Sequence, residues 1–430
     1  MSDERAAGSV RRVAVSGVGA VSGLGWGTGP LWEGLRSGRT AIRPFRRFDP
    51  SLHRTHLAAE VPMDSPPEQA ERRLTMADRF AVFAAREAVG QARLAAPLDG
   101  RDADLEAGVW FGSSTGGMFE SEGFFHHFVT DRRRSRLGDL AAQQVNGPGD
   151  AVARDLGVTG PVQTISSACS SGALALGAAL EAVRSGSVDI AVAGGSDSLC
   201  QLTYAGFNAL RSVDEGPCLP FRAGRAGMSF GEGAAVLVLE PLERVLARGV
   251  TPLAELAGAG SACDAHHMTA PDPSGAGAAA ALTAALADAG LSADAVDFVN
   301  AHATGTPLND AAEWQALRLV FGERARTIPI VLTKAILGHL LGSAGAIEAV
   351  VTILCLRHGE LHPAPGEVAG AIRAGEPEDL PLSLVLDRPL PLPAAQTAVS
   401  TSLAFGGSNA ALVFSRWPGR LAGSLKSGAG

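Results

Sequence analysis

Four side chains in this sequence could act together around one nucleophile. Cys169 lies in Ser166-Ser-Ala-Cys-Ser-Ser-Gly172, between the β-prone run Val162 to Ile165 and an apolar segment carrying Ala173, Leu174, Leu176, Ala178, Leu180 and Val183. That order predicts a strand, a tight turn and a buried helix ending near Gly186, with Ser166, Ser167 and Ser170 able to cap the helix start. A thiol at a helix N-terminus faces unpaired N–H groups and the positive end of the dipole, which favour the nucleophilic thiolate. His302 follows the strand-like Val296 to Asn300, and His339 follows Ile328 to Leu332, with Lys334 five residues ahead of it. A nucleophilic thiol needs such partners close to it. A lone cysteine or histidine is more often a core residue, but three strand exits carrying Cys169, His302 and His339 share the edge where α/β folds assemble sites.

Zinc is the competing use of these three residues, but none belongs to a local ligand pair of the kind structural zinc sites use. His358 and His362 have HxxxH spacing, yet Gly359 and Pro363 interrupt the helix that spacing needs. The adjacent pairs His126-His127 and His266-His267 cannot share one face, and all six read as surface or loop residues. No metal is expected.

Strands alternating with helices must position the site, so the fold class is α/β. Arg12 to Ser16 reads as a strand, and Gly17-Val-Gly-Ala-Val-Ser22 as a glycine-rich turn. The latter resembles half a dinucleotide fingerprint, but it lacks the third glycine and the acidic residue ~20 positions on. Met76 to Leu94 is helical by pattern, 40–75 is loop-rich, and Gly108 to Phe111 leads into the glycine turn Gly112-Ser-Ser-Thr-Gly-Gly117. The same style resumes after Pro252, so 10–251 and 252–416 read as two similar units. Residues 417–430 form a Gly/Ser-rich tail expected to be disordered.

With 430 residues, the chain can bury one large or two medium cores. A formal charge of −8 disfavours general nucleic-acid binding. Five scattered cysteines without a CxxC pair fit neither a disulfide framework nor a zinc finger. The polar start MSDERAAGSVRR lacks a signal core, and the apolar stretch around Ala349–Leu356 reads as a buried helix rather than a span. A soluble cytoplasmic protein is expected.

SSACSSG, NAHATGTPLNDAAE and TKAILGHLLGSAGAIEA resemble the β-ketoacyl-[acyl-carrier-protein] synthases of fatty-acid and polyketide synthesis, as do VAVSGVGAVSGLG, GMSFGEGAA and LAFGGSNAALVF. The likeness covers roughly residues 10 to 416. It implies the thiolase fold, with two similar halves in a five-layered α-β-α-β-α sandwich, and a dimer. It also implies decarboxylative Claisen condensation. Cys169 would hold the acyl chain, while His302 and His339 stabilise the enolate and Lys334 organises them with Glu348. Backbone N–H groups of Cys169 and Phe405 would form the oxyanion hole, and Phe405 would be a gate hinged on Gly406 and Gly407. No cofactor would be bound, because an acyl carrier protein brings the phosphopantetheine.

Two histidines set the chain apart from the branch that pairs His with Asn, and from thiolases with a second cysteine. The alternative is a non-elongating, chain-length-determining or decarboxylating partner of a heterodimer, which has no need of the full catalytic set. Many relatives carry acids in the segment Phe221-Arg-Ala-Gly-Arg-Ala-Gly227, a departure that bears on loop packing and partner choice; where this chain has Thr115 relatives carry a bulkier apolar residue, so an acyl pocket that admits a longer or more polar chain is expected. Carrier proteins are acidic, which makes Arg72, Arg73, Arg132, Arg133 and Arg134 candidate docking residues. Pathway, starter unit, product length and homo- versus heterodimer stay open.

Overall fold

The computed structural model describes residues 11–63, 74–99, 105–130, 137–369 and 380–417. Arg72, Arg73, Arg132–Arg134 and the tail beyond Trp417 lie outside them.

Ten strands and six helices position the site. In the first half these are β1 (Val13–Ser22), α1 (Met76–Gln91), β2 (Ala107–Gly112), α2 (Gly147–Leu156), β3 (Val162–Ile165), α3 (Ser171–Arg184), β4 (Ile190–Asp197) and β5 (Gly233–Pro241). In the second they are β6 (Ala254–Cys263), α4 (Ala276–Asp288), β7 (Phe298–Asn300), α5 (Pro307–Phe321), β8 (Pro329–Val331), α6 (Ala344–His358), β9 (Thr397–Leu403) and β10 (Ser408–Arg416).

The halves repeat one topology. Strand order is β3-β2-β4-β5-β1 in the first and β8-β7-β9-β10-β6 in the second, where the two-residue strand Ser383–Leu384 extends the edge. In each, the first three strands run parallel and the last two pair antiparallel. The halves meet where β1 pairs with β6, at Ala14 opposite Glu255 and Val15 opposite Ala254. Helices α1 and α2 cover one outer face, α4 and α5 the other, and α3 packs on α6 between the sheets. The result is the expected sequence of five layers.

The middle layer dictates composition. Helix α6 touches protein all round, and every residue from Ala344 to Leu356 is buried. A helix buried on all faces can be apolar on all faces, and each fully buried Leu, Ile or Val there contributes roughly 1.5–3 kcal/mol. The segment Leu341–His358 is long and apolar enough to cross a membrane, but 89% of it lies inside the protein, as expected of a core helix.

Gly17-Val-Gly-Ala-Val-Ser22 is not a turn; it continues β1. A Cβ on Gly17 or Gly19 would collide with the backbone carbonyls of Ala88 and Ala84, so these glycines let α1 lie directly on the sheet. Gly258 and Gly260 do the same in β6 against Ala285 and Ala281 of α4, at the equivalent place in the repeat. The His362 expectation is also corrected. The residue is fully buried, with Nε2 3.4 Å from Thr333 Oγ1 and Nδ1 3.1 Å from the Pro363 carbonyl, and burial holds its pKa down at about 4.

Candidate active site

Cys169 projects from the turn between β3 and α3, at the end of a parallel strand. The flanking serines do not cap the helix; they wire the turn. Ser171 Oγ accepts from the Ser167 amide (2.8 Å) and donates to the Ala168 carbonyl (2.6 Å), while Ser170 Oγ donates to the Ser167 carbonyl (2.9 Å). Ser167 and Ser170 also reach Ser408 Oγ at 2.9 and 3.0 Å, tying the turn to the loop that holds Phe405.

The second half supplies the imidazoles. The sulfur of Cys169 and a ring nitrogen from each of His302 and His339 lie within 4.8 Å of one another, and all three residues are buried. The rings stand nearly perpendicular, at 86°, with centroids 5.4 Å apart. Lys334, in the short helix Thr333–Leu337, has Nζ 3.0 Å from His302 Nδ1 and pairs with Glu348 of α6. The Leu341 amide donates to His339 Nδ1 at 3.1 Å. Both Nδ1 atoms are therefore acceptors, so each proton sits on Nε2. His339 Nε2 is buried and has no hydrogen-bond partner among the described residues.

Burial, then the positive charge of Lys334, holds both histidines well below the usual imidazole pKa, so they are neutral donors. Burial raises Glu348 to about 7 against the pull of Lys334. Cys169 departs from expectation. Burial pushes its thiol up to about 11, outweighing Lys334 and the backbone N–H groups of Phe405 and Cys169. Desolvation defeats the helix-end effect, and the resting side chain is a thiol. The same three ligand atoms could approach a metal ion, but the buried charge of Lys334, 3.0 Å from His302 Nδ1, opposes a second cation beside it.

Cys169, His302 and His339 each lie within two residues of a non-glycine residue in the left-handed region. Ala168 (φ 46°) precedes Cys169, Ala303 (φ 43°) follows His302, and Leu341 (φ 52°) lies two residues beyond His339. Such residues cost about 1–3 kcal/mol each and persist only where surroundings hold them. Buried Glu313 of α5 holds the His302 segment, accepting from the amides of His302 (2.7 Å) and Ala303 (2.8 Å). The segment Ser229 to Gly231 holds the His339 segment. The His339 amide donates to the Ser229 carbonyl (2.7 Å), and the Gly231 amide donates to the His339 carbonyl (3.0 Å).

A cavity of about 320 Å³ reaches from Cys169, His302 and His339 past Thr304, Thr306, Phe207 and Phe405 to the exposed Arg211 and Leu308. Phe405 stacks on Phe207 at 5.4 Å, and its neighbour Gly406 has φ 84°. Thr115 is buried outside this lining, where its hydroxyl donates to Asp197 Oδ1 at 2.9 Å. Sequence reasoning missed Glu313, Thr304 and Thr306, although all three lie in the stretch that carries His302.

A cavity ending on a buried thiol and two neutral imidazole donors, between the halves of a doubled five-layered fold, defines a condensing enzyme of the thiolase fold. Residues 10–244 match the beta-ketoacyl synthase N-terminal domain, and residues 253–366 match the C-terminal domain. The chain is 35% identical over 427 residues to 3-oxoacyl-[acyl-carrier-protein] synthase 2 of Staphylococcus aureus, covering 95% of this chain and 99% of that protein. The ishigamide ketosynthase/chain length factor superposes with a TM-score of 0.87 at 32% identity, over 95% of this chain and 100% of that one. A type II polyketide ketosynthase, solved with its acyl-carrier protein and bound to the hexaketide, superposes at 0.83 with 28% identity, over 95% and 100%. The chain belongs to the β-ketoacyl synthase family.

Proposed function

We propose that this chain elongates an acyl chain on an acyl carrier protein by decarboxylative Claisen condensation. The reading rests above all on the pair of imidazoles that present Nε2–H beside Cys169. Cys169 attacks the acyl-carrier thioester; a C–S bond forms to Cys169, the carrier C–S bond breaks, and the thiol proton leaves with the carrier thiol. The backbone N–H groups of Cys169 and Phe405 flank the sulfur, where they can receive the carbonyl oxygen. Malonyl carrier then loses CO₂, and His302 and His339 hydrogen-bond the enolate oxygen. The enolate carbon attacks the acyl carbonyl, a C–C bond forms, the C–S bond to Cys169 breaks to release the 3-oxoacyl carrier, and the Cys169 thiolate takes a proton from solvent.

Lys334 and Glu348 position His302 in this scheme. Phe405, with Gly406 and Gly407, gates the chain, and Thr115 borders its pocket. The phosphopantetheine arm enters through the cavity, whose Thr304 and Thr306 hydroxyls suit its amides. No cofactor resides in the protein, and 10–251 and 252–416 act as the two structural units of a cytoplasmic enzyme. The partner subunit is a second copy or a ketosynthase-like chain-length factor.

Intact mass after mixing with an acyl-carrier substrate tests the reading. An acyl-sized adduct is expected on wild type and not on Cys169→Ala. No adduct from any starter, with the chain alone or with a co-purifying subunit, overturns it in favour of a non-elongating partner.

A further inference from the structure

Two of the strained backbone segments described above are linked through one buried carboxylate that touches no reacting atom, one of them by way of Ser114. Asp197 ends β4 and is fully buried. Its Oδ1 accepts from the Thr115 amide (2.8 Å) and from the hydroxyls of Ser113 (2.7 Å) and Thr115 (2.9 Å). Its Oδ2 accepts from the Gly342 amide (2.6 Å), and the Ser114 amide lies 3.0 Å from both oxygens. Successive amides of one turn converging on a carboxylate form an anion nest. Here the nest is shared by two loops from opposite halves of the protein.

Each loop leads to a reacting side chain. In the His339 loop, consecutive amides diverge: that of Leu341 goes to His339 Nδ1, and that of Gly342 goes to Asp197. Left-handed Leu341 is thus fixed between the imidazole and the carboxylate. On the other side, Ser114 gives its amide to Asp197 and its hydroxyl to the carbonyl of left-handed Ala168 (3.1 Å), the residue before Cys169. A Cβ on Gly342 would meet Asp197 and Ser114 at 2.7 Å, so the loops pack without slack.

We propose that Asp197 is a positioning residue that sets the Cys169 turn and the His339 loop in register across the two halves. This deepens the condensing reading and rests on it. Ser114 is the arm toward Cys169, and the Gly342 amide is the arm toward His339. An apolar or amide side chain at 197 would free both loops; loss of the Ser114 hydroxyl would free one.

The test separates the arms by step. Acylation of Cys169 by an acyl-carrier substrate is timed by intact mass, and CO₂ release is measured from malonyl carrier alone. Asp197→Asn is expected to slow both steps about tenfold or more, because an amide cannot accept from every surrounding donor. Ser114→Ala is expected to slow acylation about fivefold and leave CO₂ release within twofold of wild type. Carrier KM stays unchanged in both. An Asp197→Asn variant with both rates within twofold of wild type overturns the proposal, as does a Ser114→Ala variant slowed equally in both steps or in neither. Should Asp197→Asn fail to fold, Ser114→Ala decides alone. Wild type that neither acylates nor releases CO₂ defeats the condensing reading itself, a separate result.

Discussion

Lys334 Nζ stands 3.0 Å from His302 Nδ1 and meets the Glu348 carboxylate on its other side, so one side chain fixes which imidazole nitrogen faces the cavity. The same charge helps keep both histidines neutral.

Removing that charge should act on rate and on pH profile together. Lys334→Met is expected to lower CO₂ release from malonyl carrier about 100-fold, the cost of misdirecting one donor to a developing oxyanion. In wild type neither histidine titrates between pH 6 and 8, so an inflection of the rate near pH 7 belongs to Glu348, whose pKa is about 7. Without Lys334 both pKa values rise, but burial, the larger cause, keeps them below the ordinary ~6.5, while Glu348 loses the charge that lowers it, so the inflection near pH 7 should move up. A variant with wild-type rate and an unmoved profile would show that Lys334 does not set the imidazoles.

The buried thiol gives a second signature. With its pKa at about 11, the Cys169 thiolate fraction grows about tenfold per pH unit from pH 7 to 9. Iodoacetamide labelling of the Cys169 peptide, followed by mass, should climb with that slope and show no plateau. An ordinary thiol levels off near pH 8.5. Because Lys334 lowers this pKa, Lys334→Met should label more slowly at every pH in the range. Levelling below pH 8 would mean that the helix end outweighs burial after all.

Thr115 separates hydrogen bonding from volume. Thr115→Val removes the hydroxyl given to Asp197 and should cost about 1 kcal/mol of stability with little change in product length. Thr115→Ile removes the same bond and adds bulk, so the longest products should disappear from the chain-length profile. Identical product distributions for wild type and Thr115→Ile would remove Thr115 from the acyl pocket.

The sequence was most legible where local pattern and chemistry coincide. β3 spans the expected residues Val162–Ile165, and α3, α4 and α5 start where turn residues yield to apolar runs. Cys169, His302, His339 and Lys334 announced themselves through residue type and shared position at strand exits. What stayed hidden depends on partners distant in the chain. Gly17 and Gly19 read as a turn because the reason for them, the backbone of α1, lies about 65 residues away. β6 offers small residues and no β-branched run, and it is a strand because α4 lies on Gly258 and Gly260. The thiolate expectation failed for a similar reason: the helix start was visible in the sequence, while the burial that overrides it exists only in the folded protein. Ser166, Ser167 and Ser170 looked like caps because a cap is a local device, whereas the bonds to Ser408 span some 240 residues.

The sandwich of α3 against α6 also governs when the protein becomes reactive. The sulfur is encoded in the first half and the imidazoles in the second, so neither half carries the whole condensation alone. During synthesis the ribosome delivers the cysteine long before its partners. Until α6 docks, that cysteine is an ordinary thiol beside no proton donors. Competence is therefore conferred by closure of the molecule as a whole, and a half-finished chain has no means of consuming malonyl thioesters.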